Sequence, residues 1–156
     1  MRKLLLLPLV LWACGGSKDA PMDDTAAMAD MPAALTAADV TGSYEGTTMA
    51  QGPDSMVTSN WTAWVTDDGM GGLSGRIVVS TAPTDTVAFA MKLSGDSTIN
   101  VSEPFTDRMA PEGSPQMTWV SIGHGNGNAW TGTVAWMAAG SDSVTMTGTW
   151  SATRTP

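Results

Sequence analysis

Positive charge, cysteine, histidine and long apolar runs are all scarce in this chain. It carries 7 Lys and Arg against 15 Asp and Glu, a net charge of −8. No basic cluster is present, which argues against nucleic acid and against anionic lipid headgroups as partners. The single cysteine leaves no intrachain disulfide, so the folded part must be held by packing alone. The single histidine, His124, limits both acid–base and metal chemistry. The apolar run Leu4–Trp12 would span roughly 13 Å as a helix, well short of the roughly 30 Å of a bilayer core. A stable transmembrane anchor is therefore not expected there.

What is present at the N-terminus has a different use. Met1, Arg2 and Lys3 precede the short apolar stretch, and small residues follow it, the layout of a secretory signal peptide over residues 1–13. Leu11-Trp12-Ala13-Cys14 resembles the lipobox of bacterial lipoproteins. The resemblance implies cleavage before Cys14, lipidation of its thiol with a palmitate-class acyl group, and acylation of the new N-terminus. Several acyl chains together give the lasting attachment that one chain does not. Gly15 and Gly16 stand where aspartate retains lipoproteins at the inner membrane, so the resemblance implies an exported protein of the cell envelope, at the outer membrane facing periplasm or surface. Its partner there would be the membrane itself, through Cys14. Cutting at this point removes Arg2 and Lys3, leaving 5 basic against 15 acidic residues, a net of about −10.

Residues 15–38 are rich in Gly, Ala, Pro and Asp and carry little aliphatic bulk. Such a composition cannot bury enough apolar surface to offset the entropy of ordering. With Cys14 this segment reads as a linker over 14–38, ahead of a folded domain over 39–156. Met22, Met28 and Met31 with Asp23, Asp24 and Asp30 could be drawn as a thioether copper site, since soft sulfur suits Cu(I). No histidine or cysteine lies beside them, and methionine is common throughout the chain, so no metal and no cofactor is expected.

From Val40 onward the pattern alternates with period two, is rich in Thr, Val and Trp, and is broken by Gly, Asp, Asn and Pro. It predicts strands near 40–50, 55–66, 73–81, 86–93, 99–105, 117–124, 129–139 and 143–154, joined by turns and one longer segment, "DRMAPEGSPQ". The fold class is all-β: an eight-stranded antiparallel up-and-down barrel, with an open two-sheet sandwich as the alternative. "MPAALTAADV" leaves room for a short helix before the first strand.

The last two strands specify their own pairing. Val144, Met146, Gly148, Trp150 and Ala152 alternate with hydroxyl residues, and Trp130, Gly132, Val134, Trp136 and Ala138 form the matching face of the strand before. A three-residue connection through Gly140-Ser141-Asp142 would set Gly132 against Trp150, Trp130 against Ala152 and Val134 against Gly148, bulky against small. Inward faces elsewhere are expected at Tyr44; at Leu73, Ile77 and Val79; at Val87, Phe89, Met91 and Leu93; and at Ile99, Val101 and Phe105. Trp61 and Trp64, three apart, must point to opposite faces.

"TGSYEG" is similar to the glycine–x–aromatic opening of lipocalins, and "GTWSATR" to the aromatic-then-arginine close of lipocalin and avidin-like barrels. The resemblance implies that Arg154 packs over Tyr44 as a cation–π pair.

Catalytic chemistry finds little support. Gly95-Asp96-Ser97 resembles the nucleophile segment of one lipase family, but no base is evident for Ser97, so it reads as a turn. His124 reads as a solvated loop residue. Glu103 shares the parity of Val101 and Phe105, and an inward carboxylate must be paired, solvated or functional. A ligand pocket would accordingly be built from Tyr44, Glu103, Trp130, Trp136 and Trp150, without an enzymatic role. Two readings stay open: the tryptophans line a site for a small apolar or amphiphilic molecule, or they fill the barrel and the protein acts through its surface and loops.

Overall fold

The structure is a computed structural model and describes residues 34–52, 55–82, 85–107 and 111–156. The expected signal peptide, Cys14, the methionine-rich stretch and most of the expected linker lie outside the described residues. Eight strands follow a short helix: α1 (Ala37–Val40), β1 (Gly42–Gln51), β2 (Met56–Asp67), β3 (Leu73–Val79), β4 (Thr86–Ser94), β5 (Ser97–Ser102), β6 (Met117–Gly125), β7 (Ala129–Ala138) and β8 (Val144–Arg154). Each pairs with the next, and β1 pairs antiparallel with β8, so the sheet closes into a barrel and the sandwich alternative is set aside. Closure leaves no strand edge unpaired, which removes the usual template for aggregation.

The β7–β8 register is the one the bulky-against-small pattern predicts: Gly132 opposes Trp150, Trp130 opposes Ala152 and Val134 opposes Gly148. A register shift at Trp136/Met137 then turns Val144 outward, where it is 53 % exposed. The same size rule operates across β1–β2, where Gly46 faces Trp61, and a side chain on Gly46 would collide with the Trp61 ring. Trp61 is thus the inward member of the β2 pair, and Trp64, 45 % exposed, is the outward one.

One end of the barrel is shut. Contacts with it reach back to Leu35, whose backbone N–H donates to the Gly95 carbonyl at 3.0 Å. Asp39 accepts from the Thr36 backbone N–H and hydroxyl at 2.8 and 2.6 Å, ordering the helix start. The hydrogen bond from the Thr36 side chain, aided by that from its backbone, holds the Asp39 carboxyl below the usual carboxylate range. Val40, 1 % exposed, then drops into the core beside Tyr44 and Trp130. Gly127, at φ 83°, lies against the Asp39 carbonyl, where a side chain would both strain the backbone and strike α1.

Arg154 sits over Tyr44 with its Cζ 5.7 Å from the ring centroid, and it donates to the Thr41 carbonyl. The Tyr44 hydroxyl lies 2.8 Å from the Val40 carbonyl and 3.2 Å from that of Gly127. Burial raises the Tyr44 phenol above its ordinary range, against the opposing pull of Arg154. Helix, first strand, last strand and the β6–β7 turn are pinned together at this one corner.

Candidate functional site

The opposite end, ringed by the β1–β2, β3–β4, β5–β6 and β7–β8 connections, is open. It leads into a cavity of about 1510 Å³ that occupies the barrel interior. Drug-sized ligand pockets run to roughly 300–1,000 Å³, so this space is larger than tightly packed side chains would leave. The tryptophans therefore line a cavity instead of filling the barrel. Alternation explains how: strands put every second side chain inward, and glycines at Gly46, Gly75, Gly123 and Gly132 make room for Trp61, Phe89 and Trp150.

Two aromatic pairs stand in the apolar wall among aliphatic residues such as Val65, Ile77 and Val134. Trp61 and Trp150 meet edge to face with centroids 6.2 Å apart, and Phe89 and Trp119 tilt together at 5.5 Å. Both indole N–H groups of the first pair are used by the protein: Trp61 Nε1 donates to Thr48 Oγ1 at 2.8 Å and Trp150 Nε1 to the Thr133 carbonyl at 3.2 Å. The rings are oriented and present carbon to the cavity.

Four of the five residues expected to build a pocket do line it. Tyr44 and Trp130 form its floor, each 5 % exposed, Trp150 its middle, and Trp136 lies toward the mouth. Glu103 does not. It is exposed, lies outside the cavity lining, and follows the end of β5. Its misplacement belongs to a larger reversal, because β5 carries its apolar residues outward. Ile99 and Val101 are 40 and 45 % exposed, while Thr98, Asn100 and Ser102 are buried. Inherited parity from Val101 thus pointed Glu103 the wrong way.

The reversal is imposed by the neighbours. Paired residues share a face; Phe89 pairs with Ser102, so an inward Phe89 turns Ser102, Asn100 and Thr98 inward too. On the other side Trp136 pairs with Trp119, which brings Ser121 inward and leaves Val120 and Ile122 outside. Trp61 and Trp119 are the aromatic lining residues that sequence reading left unassigned. The glycine opposite Trp61 was the available signal for the first; Trp119 required the pairing itself.

The structure also supplies a histidine for Ser97, contrary to expectation. Ser97 pairs with His124, its Oγ lies 2.8 Å from His124 Nδ1, and it donates to Asp96 Oδ1 at 2.9 Å. The arrangement does not build an activated serine. Asp96 approaches the same ring nitrogen, at 3.9 Å, instead of orienting the imidazole from its far side, and Asp96 and His124 are 61 and 62 % exposed. The cluster lies outside the cavity. Among the described residues, no group of three or more His, Cys, Asp or Glu side chains could hold a metal ion.

No protein-family model and no curated protein matches the sequence. Among solved structures, a protein of unknown function from the DUF3598 family of Nostoc punctiforme superposes with a TM-score of 0.50 at 11 % identity. The match covers 79 % of this chain and 50 % of that one, so the chain spans about half the length of its structural neighbour. The likeness is one of fold.

Proposed function

We propose that this protein is a lipid-anchored binding protein of the cell envelope, tethered through Cys14, that holds a small apolar or amphiphilic molecule inside its barrel without transforming it. The observation that carries the binding reading is the open-ended cavity of about 1510 Å³ walled by oriented aromatic rings. The tether rests on Leu11-Trp12-Ala13-Cys14 and on the short apolar run before it. A nucleophile without an oriented base gives no reason to add a covalent step.

Titrating the protein with fatty acids, flavins, haem and sugars while following tryptophan emission tests the first part. A saturable quench or shift is expected with the long apolar members; silence across the whole panel would remove ligand binding. Radiolabelled palmitate fed to cells should enter the wild-type protein and not Cys14→Ser, and equal labelling of both would remove the tether.

A second reading, action through the outer surface, is favoured by one observation. Ile99 pairs with Ile122 and Val101 with Val120 on the outside of β5 and β6, where all but Val120 are at least 40 % exposed. Apolar side chains contiguous on a surface mark sites of association. A concentration-dependent sedimentation coefficient that Ile122→Lys abolishes would support it.

A further inference from the structure

Hydroxyl residues such as Thr48, Ser59 and Thr86 line the cavity, but among the described residues the buried polar side chains all lie on β5 and β6. Thr98, Asn100 and Ser121 are 2, 5 and 6 % exposed and face the cavity. Asn100 Nδ2 donates to Ser121 Oγ at 3.1 Å and to Thr98 Oγ1 at 3.4 Å. These two bonds fix the amide by its nitrogen end, and its other end has none: among the described residues, Asn100 Oδ1 is the one buried side-chain polar atom without a hydrogen-bond partner. An orphaned buried acceptor costs about 1–3 kcal/mol, and native proteins keep few of them. Leucine at this position would carry no such cost.

We infer that Asn100 Oδ1 is the polar subsite of the cavity and that it receives a neutral, elongated amphiphile through a hydroxyl or amide N–H donor on that molecule. This inference rests on the cavity-binding reading and adds the ligand's chemical class and orientation. Neutrality follows from the lining, whose charged members among the described residues are Asp85 and Asp107, both at the mouth. A carboxylate beside Asn100 would meet a carbonyl oxygen and no cation, and an ionised group buried without a partner is strongly disfavoured. A hydroxyl suits the site on both counts. It can donate to Asn100 Oδ1 and accept from the Ser121 hydroxyl, whose oxygen already receives the Asn100 amide.

Orientation follows from the strand direction. β5 starts at the shut end with Ser97, so Asn100 stands roughly 10 Å up the wall at about 3.3 Å per residue. Above it toward the mouth the lining includes Val57, Val79, Val87, Trp136 and Met146, with Asp85 and Asp107 at the rim. The donor end goes in first, and the apolar chain lies along those residues toward the mouth.

The test uses the intact protein and three probes of equal chain length: 1-dodecanol, dodecyl methyl ether, which has no donor, and dodecanoate, which is charged. Each is titrated against tryptophan emission. Wild type should bind the alcohol about tenfold more tightly than the ether, the effect of one well-made buried hydrogen bond, and more tightly than dodecanoate. Asn100→Leu should bind alcohol and ether alike. Ser121→Ala should narrow the alcohol's advantage without erasing it. Equal affinity of wild type for alcohol and ether, a preference for dodecanoate, or an alcohol preference that survives in Asn100→Leu would each overturn the inference while leaving cavity binding intact. If none of the three probes perturbs the emission, the binding reading falls and this inference falls with it. The wild-type comparison decides the matter even should Asn100→Leu fail to fold.

Discussion

The strand pairs β7–β8 and β5–β6 lie side by side in one sheet, yet they put their apolar residues on opposite surfaces. In β7–β8 the tryptophans, Val134 and Ala152 face in and the hydroxyl residues face water. In β5–β6 the aliphatics face out, and Thr98, Asn100, Ser102 and Ser121 face in. Alternation states that the two faces of a strand differ; it does not state which of them is inside. Where one face carries indole rings with glycines opposite, size leaves a single solution. Where the choice lies between small aliphatics and small polar residues, the neighbouring strands decide, through Phe89 on one side and Trp136 on the other. The outward aliphatics cover one another in cross-strand pairs, and the inward polar groups are largely satisfied: Ser102 Oγ accepts from the Trp119 backbone N–H at 2.8 Å, and Asn100 joins Thr98 to Ser121.

This contrast can be broken by substitution. The largest effect should come from the apolar-in wall: Trp130→Ala at the floor, where the ring is 5 % exposed, is expected to cost about 3–5 kcal/mol in urea unfolding. A loss under about 1 kcal/mol would show that the floor is not part of the packed core. Next comes the room made by glycine. A side chain on Gly132 would run into the Ile122 carbonyl and the Trp150 ring, so Gly132→Ala should cost about 1–3 kcal/mol. Gly140→Ala in the β7–β8 turn, with nothing within 4 Å but φ at 79°, isolates the backbone component of such a change.

A third effect reads the pinned corner through the only tyrosine in the chain. Its phenolate absorbance should rise with a midpoint above the roughly 10 of a free tyrosine. The unfolded state then loses its proton first, so this group's contribution to stability is whole below about pH 10 and declines as pH climbs toward the folded-state value. Arg154→Met removes the opposing positive charge and should move the midpoint further up; an unchanged or lower midpoint would separate Arg154 from Tyr44. The smallest effect belongs to the reversed wall. Ile99→Thr, already 40 % exposed, should change stability by no more than about 0.5 kcal/mol, whereas a loss comparable to that of Trp130→Ala would mean that β5 faces the other way.

Much of this architecture was legible residue by residue. The eight strands and the β7–β8 register follow from alternation and from the sizes of facing residues, because each concerns neighbours along the chain or across one hairpin. The Tyr44–Arg154 contact, which joins the first strand to the last, was only what the resemblance of two short motifs implied. The pocket was legible where tryptophan marked it, at Trp130, Trp136 and Trp150. The polar subsite was not. Thr98, Asn100 and Ser121 belong to strands separated by the longest connection in the barrel, and nothing in "STINVSE" alone tells whether isoleucine or asparagine turns inward. The proximity of Ser97 and His124 was hidden for the same reason, as it exists only once β5 and β6 pair.

By itself the sequence determined the class of fold, through a two-residue period held from Gly42 to Arg154, and it determined the aromatic face, because an indole fits only opposite something small. Tertiary structure alone decided the sidedness of β5 and β6, and with it the orphaned acceptor at Asn100. The physical reason is that a closed sheet has a single inside. Once the bulky residues of β4 and β7 claim it, hydrogen-bonded pairing passes their choice to the strands between, whatever those strands carry.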